Sequence, residues 1–528
     1  MESPAKAAPK QAKADNSKKQ LLTNAASFFV NNVLNTTVLL WLQQYLFKRL
    51  PAEEFSLYPL VMSILMLLPT LSMMLQDSMS RFSAEAHAKG DLERVTALTS
   101  TLAPICAALG AVVMTIGILC SVFVEHVLVV PPGLEGDAGL MVFIVFAIFV
   151  LDIVGLPFRV GLFIRARFVL FNGIEALTQV VRVTVLFILL FGVSTRVLWV
   201  LVAYAVAQIV RHSLLLRNSQ RLVPELRFDR SKIDWSLTKI LASYGWWSLL
   251  VQVSYSIRSS MDVLVLNRLA TPQAVNEFYL GSMGYKQVQR LWDPVRSSLG
   301  PPLIQMYARG EHDRLSRAYL RGGRFAIWLM MFVAAPLIAF AQETMHLYLG
   351  SDEMWRAGIV MVLLLTTLPI EAGNIMQRSI VRATGQIRAF AIGTASAQAV
   401  GLILRITLLL VTDWGSIGSA VATLVTCVIF EPALLLPLGL KATNTSPLRY
   451  FRETMIPGII PGVGAAIAMI AIGYVFPIDT WLKLGAGAAA GAVVYVAILW
   501  LVMQPADRAD LLAVRNKLPF LKKKGVKA

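Results

Sequence analysis

The chain has 528 residues, of which 56% are hydrophobic and only 15% charged, and its mean hydropathy is +0.65. This composition lies far outside the range of soluble domains and predicts a membrane protein. The formal net charge of +17 would also suit a nucleic-acid-binding protein. The positions of the basic residues, given below, indicate membrane topology instead, so we expect no nucleic-acid partner.

Apolar segments of about 20 residues, each long enough to cross ~30 Å of hydrocarbon as a helix, follow one another from residue 21 to residue 503. They predict an all-α polytopic protein with about 14 transmembrane helices. The predicted spans have their cores at 22–47, 57–80, 97–124, 139–163, 168–191, 197–215, 243–266, 278–304, 322–345, 357–380, 389–411, 416–438, 455–476 and 481–503. Residues 1–20 are polar and basic and show no cleavable signal pattern, so we expect a cytoplasmic tail there.

Basic residues are distributed unequally between the two sides of these spans. With the amino terminus inside, 35 of the 48 Lys and Arg lie on the inner side, 6 lie in outer loops and 7 lie within spans. Such an excess on the inner side follows the positive-inside rule. It predicts a multi-pass protein of the cytoplasmic membrane with both termini in the cytoplasm.

A short polar segment occurs twice, as HAKGDLERV at 87–95 and YARGEHDRL at 307–315, with an offset of 220 residues. Three further matches, at offsets between 219 and 223, pair Arg49–Tyr58 with Arg268–Tyr279, Asp152 and Arg159 with Glu371 and Arg378, and Arg182–Leu186 with Arg405–Leu409. Four ordered matches at offsets between 219 and 223 indicate a duplication of spans 1–6 as spans 7–12. Because six is even, the two copies are expected to be parallel repeats.

The predicted domain plan follows from this duplication. It consists of a basic tail (1–20), an amino-terminal six-helix bundle (21–216), a cytoplasmic amphipathic linker (217–241), a carboxy-terminal six-helix bundle (242–440), two additional transmembrane helices (441–504) and a second basic tail (505–528). A solvated basic linker is the alternative for 217–241. Prolines predict kinks in spans 2, 4, 8 and 10, at Pro69, Pro157, Pro294, Pro301 and Pro369.

Ionisable residues inside spans are costly against lipid and usually face a bundle interior or an aqueous cavity. Spans 7 and 8 concentrate such residues, which are Arg258, Asp262, Lys286, Arg290, Asp293 and Arg296. Helical spacing places Lys286, Arg290 and Asp293 on one face. Four cations against two carboxylates favour an anionic ligand, and arginine suits phosphate through its bidentate fork. Ion pairing within the set is the alternative.

Other polar residues in the spans have two interpretations each. Asp152, Asp262 and Glu371 are candidates for ion coupling, although Asp152 with Arg159 and Glu371 with Arg378 would also suit pairs that hold helices together. Asn31 and Asn35 of span 1 lie four residues apart and would suit contacts with sugar hydroxyls. Hydrogen bonds between helices are the alternative for these amides.

Several chemical signatures are missing from the sequence. No Gly-Lys dipeptide occurs, which excludes a Walker A phosphate loop. The five histidines and three cysteines are scattered, without the spacing of a metal site or a redox pair. We therefore expect no metal and no cofactor, and a protein that is not an enzyme.

The segments RLPAEEFSLYPLVMSILMLLP (49–69) and SRFSAEAHAKGDLERV (80–95), within a duplicated chain of about fourteen spans, resemble the Wzx-like polysaccharide flippases of the multidrug/oligosaccharidyl-lipid/polysaccharide exporter superfamily. Ser56 stands where these proteins more often have glycine. The resemblance implies a V-shaped alternating-access transporter with a central cavity lined by helices 1, 2, 7 and 8. It also implies a polyprenyl-diphosphate-linked oligosaccharide as substrate, membrane lipids as surroundings, and a glycosyltransferase or polymerase of the same pathway as partner.

Within that expectation, we interpret Arg258, Lys286, Arg290 and Arg296 as the substrate-binding residues of a cationic cavity. One alternative is a multidrug exporter of the same fold, coupled to protons or sodium, which would require an acidic cavity. A second is a membrane-embedded glycan polymerase or ligase. Such enzymes usually carry a large outer loop, whereas the outer breaks here, near 125–138 and 346–356, are short.

Overall fold

The computed structural model describes residues 37, 40–68, 72, 75–76, 79, 82–83, 86–87, 89–165, 167–350, 354–377, 380–381, 384, 386–505 and 507–508. Within these ranges, only the backbone is described for 67, 168, 239–245, 248, 259, 291–302, 304–305 and 308. Asn31, Asn35, Asp77 and Arg378 lie outside the described residues, as do both predicted tails apart from residues 505 and 507–508.

The described chain is helical almost throughout. Its longer helices, numbered here in chain order, are α1 (Ala52–Leu67), α2 (Leu92–Val122), α3 (Glu135–Gly155), α4 (Phe168–Gly192), α5 (Leu198–Leu222), α6 (Ser236–Leu269), α7 (Pro272–Ala308), α8 (His312–Ala339), α9 (Ala341–Leu349), α10 (Trp355–Leu365), α11 (Leu368–Gly373), α12 (Ile387–Val411), α13 (Ser416–Val425), α14 (Glu431–Ala442), α15 (Ile456–Val475) and α16 (Trp481–Val502). Single helical turns and short segments of 3-10 or π-helix connect several of them.

Ten helical segments of the described residues are long and apolar enough to cross a membrane. They are Leu92–Val122, Glu135–Phe158, Val169–Gly192, Leu198–Leu222, His312–Ala339, Trp355–Gly373, Ile387–Val411, Ser416–Ala442, Pro447–Val475 and Trp481–Val502, and they coincide with predicted spans 3–6 and 9–14. In predicted span 7, Leu249–Arg258 and Ser260–Leu269 form a pair bent by 48°. The protein is therefore a multi-pass membrane protein.

The remaining predicted spans differ for two reasons. Spans 1 and 2 fall partly outside the described residues, although α1 begins directly after Pro51, whose φ of −54° suits a residue preceding a helix. Span 8 forms the 37-residue helix α7, whose charged residues make it too polar to qualify by composition. The total of fourteen spans and the two six-helix repeats stay predictions.

The two similar polar segments adopt the same conformation. Gly90 and Gly310 have φ of +76° and +70°, in the left-handed region that favours glycine. In one loop Asp91 N–H donates to the Ala86 carbonyl at 3.0 Å, and in the other Glu311 N–H donates to the Met306 carbonyl, also at 3.0 Å. This 6→1 bond terminates the preceding helix in both places. The predicted turns at the two glycines are confirmed.

Among the predicted kink sites, Pro157 and Pro369 lie at breaks between helices, Pro294 and Pro301 lie within one continuous helix, and Pro69 lies outside the described residues. A 3-10 turn at Leu156–Phe158, which contains Pro157, ends α3, and α11 begins with Pro369 in its first turn after α10 has ended. Proline has no N–H to continue the helical ladder, and its ring clashes with the preceding turn. By contrast, α7 runs as one helix through Pro294 and Pro301.

The chain forms two compact units. Unit 1 comprises Met1–Asn276 with Leu409–Gly415, and unit 2 comprises Glu277–Leu408 with Ser416–Ala528. Helix α6 belongs to unit 1, where it packs along α1. The two units divide after residue 276, and the predicted domain plan stays a prediction.

The linker between α5 and α6 is fastened to the start of α2, within unit 1. Thr101 Oγ1 accepts a hydrogen bond from the Asp234 backbone N–H at 2.9 Å, and Ser100 Oγ accepts one from the Asp229 backbone N–H at 2.9 Å. Hydrogen bonds from the Ser231 hydroxyl and backbone N–H lower the pKa of Asp229. From Val223 to Trp235 the only helical turn is the 3-10 segment Arg230–Lys232, so this part of the predicted amphipathic segment is not an α-helix.

Candidate functional site

The first polar cluster of unit 1 forms at the break in α3. Asp152 lies near the end of α3, and Arg159 follows the 3-10 turn that contains Pro157. The change of direction brings Arg159 Nη1 to 2.5 Å from Asp152 Oδ1. Arg159 is only 8% exposed. The predicted link between Asp152 and Arg159 is thus an ion pair.

His212 of α5 completes this cluster. Its Nδ1 lies 2.8 Å from the Gln208 carbonyl, which can only accept a hydrogen bond, so Nδ1 carries the proton. Its Nε2 lies 2.9 Å from Arg159 Nη1 and 3.1 Å from Asp152 Oδ1. Through these contacts His212 links both Arg159 and Asp152 to α5.

A second ion pair joins α4 to α5 beside this cluster. Arg211 Nε lies 2.7 Å from Glu175 Oε1, and Arg211 Nη1 lies 4.0 Å from Asp152 Oδ1. In unit 2, α12 and the start of α14 are joined by a hydrogen bond of 2.9 Å from Gln398 Nε2 to Glu431 Oε1. Gln398 follows Glu175 by the same 223 residues that separate Arg182 from Arg405. This correspondence supports the proposed duplication.

The arginines of that matching pair differ in their surroundings. Arg405 donates to Ser419 Oγ at 3.1 Å and to Thr423 Oγ1 at 3.2 Å. Arg182 is 9% exposed, and its guanidinium carbon lies 5.7 Å from the centre of the Tyr204 ring. No residue in the described part of the chain places a carboxylate or another acceptor within bonding distance of the Arg182 guanidinium.

A cavity of about 420 Å³ lies among these residues, within unit 1. Its polar and charged lining comprises Ser72, Gln76, Asp152, Arg159, Glu175, Gln179, Arg182, Tyr204, Gln208 and Arg211. The lining carries three arginines against two carboxylates. It therefore combines a net positive charge with hydroxyl and amide groups.

Unit 2 has a polar cluster around Glu371, at the break between α10 and α11. Glu371 accepts hydrogen bonds from Tyr285 OH at 2.7 Å, Gln289 Nε2 at 2.7 Å and Thr367 Oγ1 at 3.0 Å. Thr367 is fully buried and Tyr285 is 8% exposed. At least three neutral donors therefore hold this carboxylate, two of them on α7.

Close packing of α7 on α10 explains how its side chains reach Glu371. A Cβ added at Gly281 would lie 2.4 Å from the Ala357 carbonyl oxygen, so only glycine allows this approach. Tyr285 and Gln289 follow Gly281 at i+4 and i+8 and share its face. Lys286 and Arg290 each lie one residue further on and face about 100° around the helix.

The predicted cationic residues occupy both units. Arg258 and Asp262 lie on α6 in unit 1, where Asp262 is 4% exposed and Arg258 is partly buried. Lys286 and Arg290 lie on α7 in unit 2, are partly buried, and Lys286 Nζ is 5.4 Å from the Tyr279 ring centre. No acceptor for Arg290 is present among the described side chains. Arg296 lies on the same helix, but only its backbone is described.

The sequence reasoning missed several members of both clusters. The sequence pattern predicts no role for His212 beyond a scattered histidine and does not single out Arg211, although both lie on α5. Tyr285 and Gln289 each precede a predicted cation by one residue. The i, i+7 spacing of Glu175 and Arg182 was the available signal for a charged face on α4. Within the described residues, no group of His, Cys, Asp or Glu is arranged to hold a metal ion.

Comparison with known proteins identifies relatives of the whole chain. Residues 21–303 match the family described as "Polysaccharide biosynthesis protein". A Bacillus subtilis (strain 168) protein described as "Uncharacterized membrane protein EpsK" is 22% identical over 504 residues, which cover 93% of this chain and 96% of that protein.

Solved structures show the same fold. "Lipid II flippase MurJ, inward closed conformation" has a TM-score of 0.62 at 13% identity and covers 93% of this chain and 100% of its own. The inward-facing conformation of a multidrug resistance MATE family transporter of the MOP superfamily has a TM-score of 0.63 at 15% identity, over 78% of this chain and 95% of its own. Since the family match covers more than half of the 528 residues, the chain belongs to the polysaccharide biosynthesis protein family of membrane proteins.

Proposed function

We propose that this protein flips a polyprenyl-diphosphate-linked oligosaccharide, the repeat unit of a polysaccharide, across the cytoplasmic membrane by alternating access. The carrying observation is Arg290, a partly buried cation on α7 with no acceptor among the described side chains. A cation held in a membrane protein without a partner favours an anionic ligand. A diphosphate supplies that anion, and family membership supplies the polysaccharide context.

The proposed binding residues are Arg258, Lys286, Arg290 and Arg296. Guanidinium groups match phosphate oxygens through two parallel hydrogen bonds, and the Lys286 ammonium adds a point charge. The polyprenyl tail would stay in the lipid, because its burial in a polar site would be unfavourable. Asn31 and Asn35 remain proposed sugar contacts.

The proposed ion-coupling residues are not equivalent. Glu371 accepts hydrogen bonds from three neutral donors, Tyr285, Gln289 and Thr367. Protonation of Asp152 would leave Arg159 without its counter-charge. Of the three proposed ion-coupling residues, Asp152, Asp262 and Glu371, we therefore place Asp152 last.

A multidrug exporter is the second candidate, because the chain shares its fold with a MATE family transporter. Export of organic cations needs an acidic cavity, whereas the described part of α7 presents Lys286 and Arg290. The lining of the cavity in unit 1 is also net positive. Both charge patterns favour an anionic substrate.

Complementation tests the proposal directly. Lys286, Arg290 and Arg296 are each changed to Ala in a strain that lacks this protein, and surface polysaccharide and lipid-linked intermediates are measured at matched membrane expression. We expect reduced export and accumulation of intermediates. Arg314→Ala is the control, since this side chain is 64% exposed and pairs with Glu311.

Normal export by all three variants would contradict the proposed role of these cations. Drug susceptibility of the deletion strain separates the two functions. Increased sensitivity to cationic drugs together with normal polysaccharide export would favour the multidrug exporter.

A further inference from the structure

We propose that the cavity in unit 1 is a binding site for a small polar oxyanion, an acidic sugar or a phosphate, with Arg182 as its principal ligand. The cavity holds about 420 Å³, within the range of ~300–1,000 Å³ typical of small-molecule sites. It is lined by residues of α1, α3, α4 and α5 and by Ser72 and Gln76, within unit 1, and its lining does not include Arg258, Lys286, Arg290 or Arg296. The inference therefore does not rest on the proposed flippase function.

One cation of the cavity lining has no carboxylate partner among the described residues. Asp152 is paired with Arg159 at 2.5 Å, and Glu175 is paired with Arg211 at 2.7 Å. Arg182 is thus the cavity arginine without a carboxylate, among the residues that the structure describes.

Arg182 is also a buried residue whose guanidinium donors have no acceptor among the described residues. Its side chain is 9% exposed, and the Tyr204 ring at 5.7 Å contributes a cation–π contact to its flat face. That contact leaves the five N–H groups at the edge of the guanidinium without described acceptors. Buried charges are normally paired and hydrogen-bonded, so a ligand is the expected source of the acceptors.

Arg405 shows how the same fold satisfies an arginine internally. It is 4% exposed, lies 223 residues after Arg182, and donates to Ser419 and Thr423. Arg182 has no described hydroxyl in that role. Unlike Arg405, Arg182 therefore contributes donors without a described acceptor to the cavity lining of unit 1.

The rest of the lining indicates the ligand class. A guanidinium edge matches the two oxygens of a carboxylate or phosphate. Gln179, Gln208 and Ser72 line the same cavity and supply amide and hydroxyl groups suited to sugar hydroxyls. Hexuronates and phosphate esters of sugars combine both features, and inorganic phosphate has the first.

Ligand-dependent thermal stability of the purified full-length protein tests the inference. Glucuronate, inorganic phosphate, glucose and sodium chloride are titrated at constant ionic strength. We expect the wild-type midpoint to rise with glucuronate, phosphate or both, but not with glucose or chloride. Glucuronate alone indicates an acidic sugar, phosphate alone indicates a phosphate group, and either supports the site.

Variants assign the effect to Arg182. Arg182→Gln should weaken anion binding about 10- to 100-fold, which is the loss of one charge-assisted bidentate contact. Without ligand it should melt at or above the wild-type temperature, because it removes an unpaired buried charge. Arg405→Gln should keep the anion response. If Arg182→Gln does not yield folded protein, Arg182→Lys should fold and show an intermediate loss.

Two results would overturn the site. One is a wild-type protein that gains no more stability from glucuronate or phosphate than from chloride. The other is equal anion binding by wild type and Arg182→Gln or Arg182→Lys. Retained binding by Lys286→Ala and Arg290→Ala distinguishes this site from the proposed transport residues, so either proposal can fail alone.

Discussion

Arg159 and Asp152 stand on opposite sides of the helix break at Pro157, and that break brings their charged atoms to 2.5 Å from each other. Both side chains of the pair are largely buried, with 9% and 20% of their surface exposed. His212 contacts both residues from α5. The contact therefore holds the end of α3 against α5.

Asp152→Asn should lower the stability of the folded protein by about 3 kcal/mol, because it leaves Arg159 as an uncompensated buried charge. Thermal unfolding of the purified protein measures the effect. Glu93→Gln is the control, since Glu93 pairs with Lys232 but is 84% exposed, and such surface pairs contribute little. An unchanged midpoint for Asp152→Asn would show that Arg159 finds other acceptors.

The carboxy-terminal end of the described chain is fastened to α8 by a buried ion pair. Arg324 Nη2 lies 2.7 Å from Asp507 Oδ2, and the two side chains are 2% and 0% exposed. Arg321 Nε adds a contact of 3.1 Å to Asp507 Oδ1. Asp507→Ala should cost about 3 to 5 kcal/mol, the range for breaking a buried pair.

Truncation provides a graded version of this test. Removal of residues 509–528 keeps Asp507 and should preserve the melting temperature, whereas removal of 505–528 should lower it as much as Asp507→Ala. Equal melting of both truncated proteins would mean that the Asp507 contact adds nothing to stability.

Gly281 sets the distance between α7 and α10. In Gly281→Ala the new methyl group would lie 2.4 Å from the Ala357 carbonyl oxygen, so α7 must move away. We expect a loss of about 1 to 3 kcal/mol in stability, and reduced polysaccharide export at equal expression. The shift would also lengthen the Tyr285 and Gln289 bonds to Glu371.

Gly485→Ala is the matched control, because a Cβ there meets open space. In a helix this change should leave the protein equally stable or more stable by up to about 1 kcal/mol. Equal behaviour of the two alanine variants would contradict tight packing at Gly281.

The linker between α5 and α6 should become more accessible to protease when its hydrogen bond to Thr101 of α2 is removed. Thr101→Val loses the hydroxyl that accepts the Asp234 N–H hydrogen bond at 2.9 Å. Loss of about 1 kcal/mol at this contact predicts roughly 5-fold faster trypsin cleavage at the exposed Arg227 and Arg230. Thr115→Val on the same helix, whose hydroxyl bonds only its own turn, should leave the rate unchanged.

Local features of the molecule could be predicted because they depend on neighbouring residues. Gly90 and Gly310 end their helices through a positive φ, which is a property of a single residue. The breaks at Pro157 and Pro369 follow from a missing N–H group. Nothing comparable marks Arg211 as the partner of Glu175, 36 residues earlier.

By itself, the sequence determined the membrane class, the ten apolar spans, the two matching loops and the resemblance to polysaccharide flippases, since span length and turn chemistry are encoded locally. Only the tertiary structure decided which charges neutralise each other. Asp152 meets His212 across 60 residues and Arg324 meets Asp507 across 183, because helices distant in sequence pack side by side. That pairing leaves Arg182 as the buried arginine without a described partner.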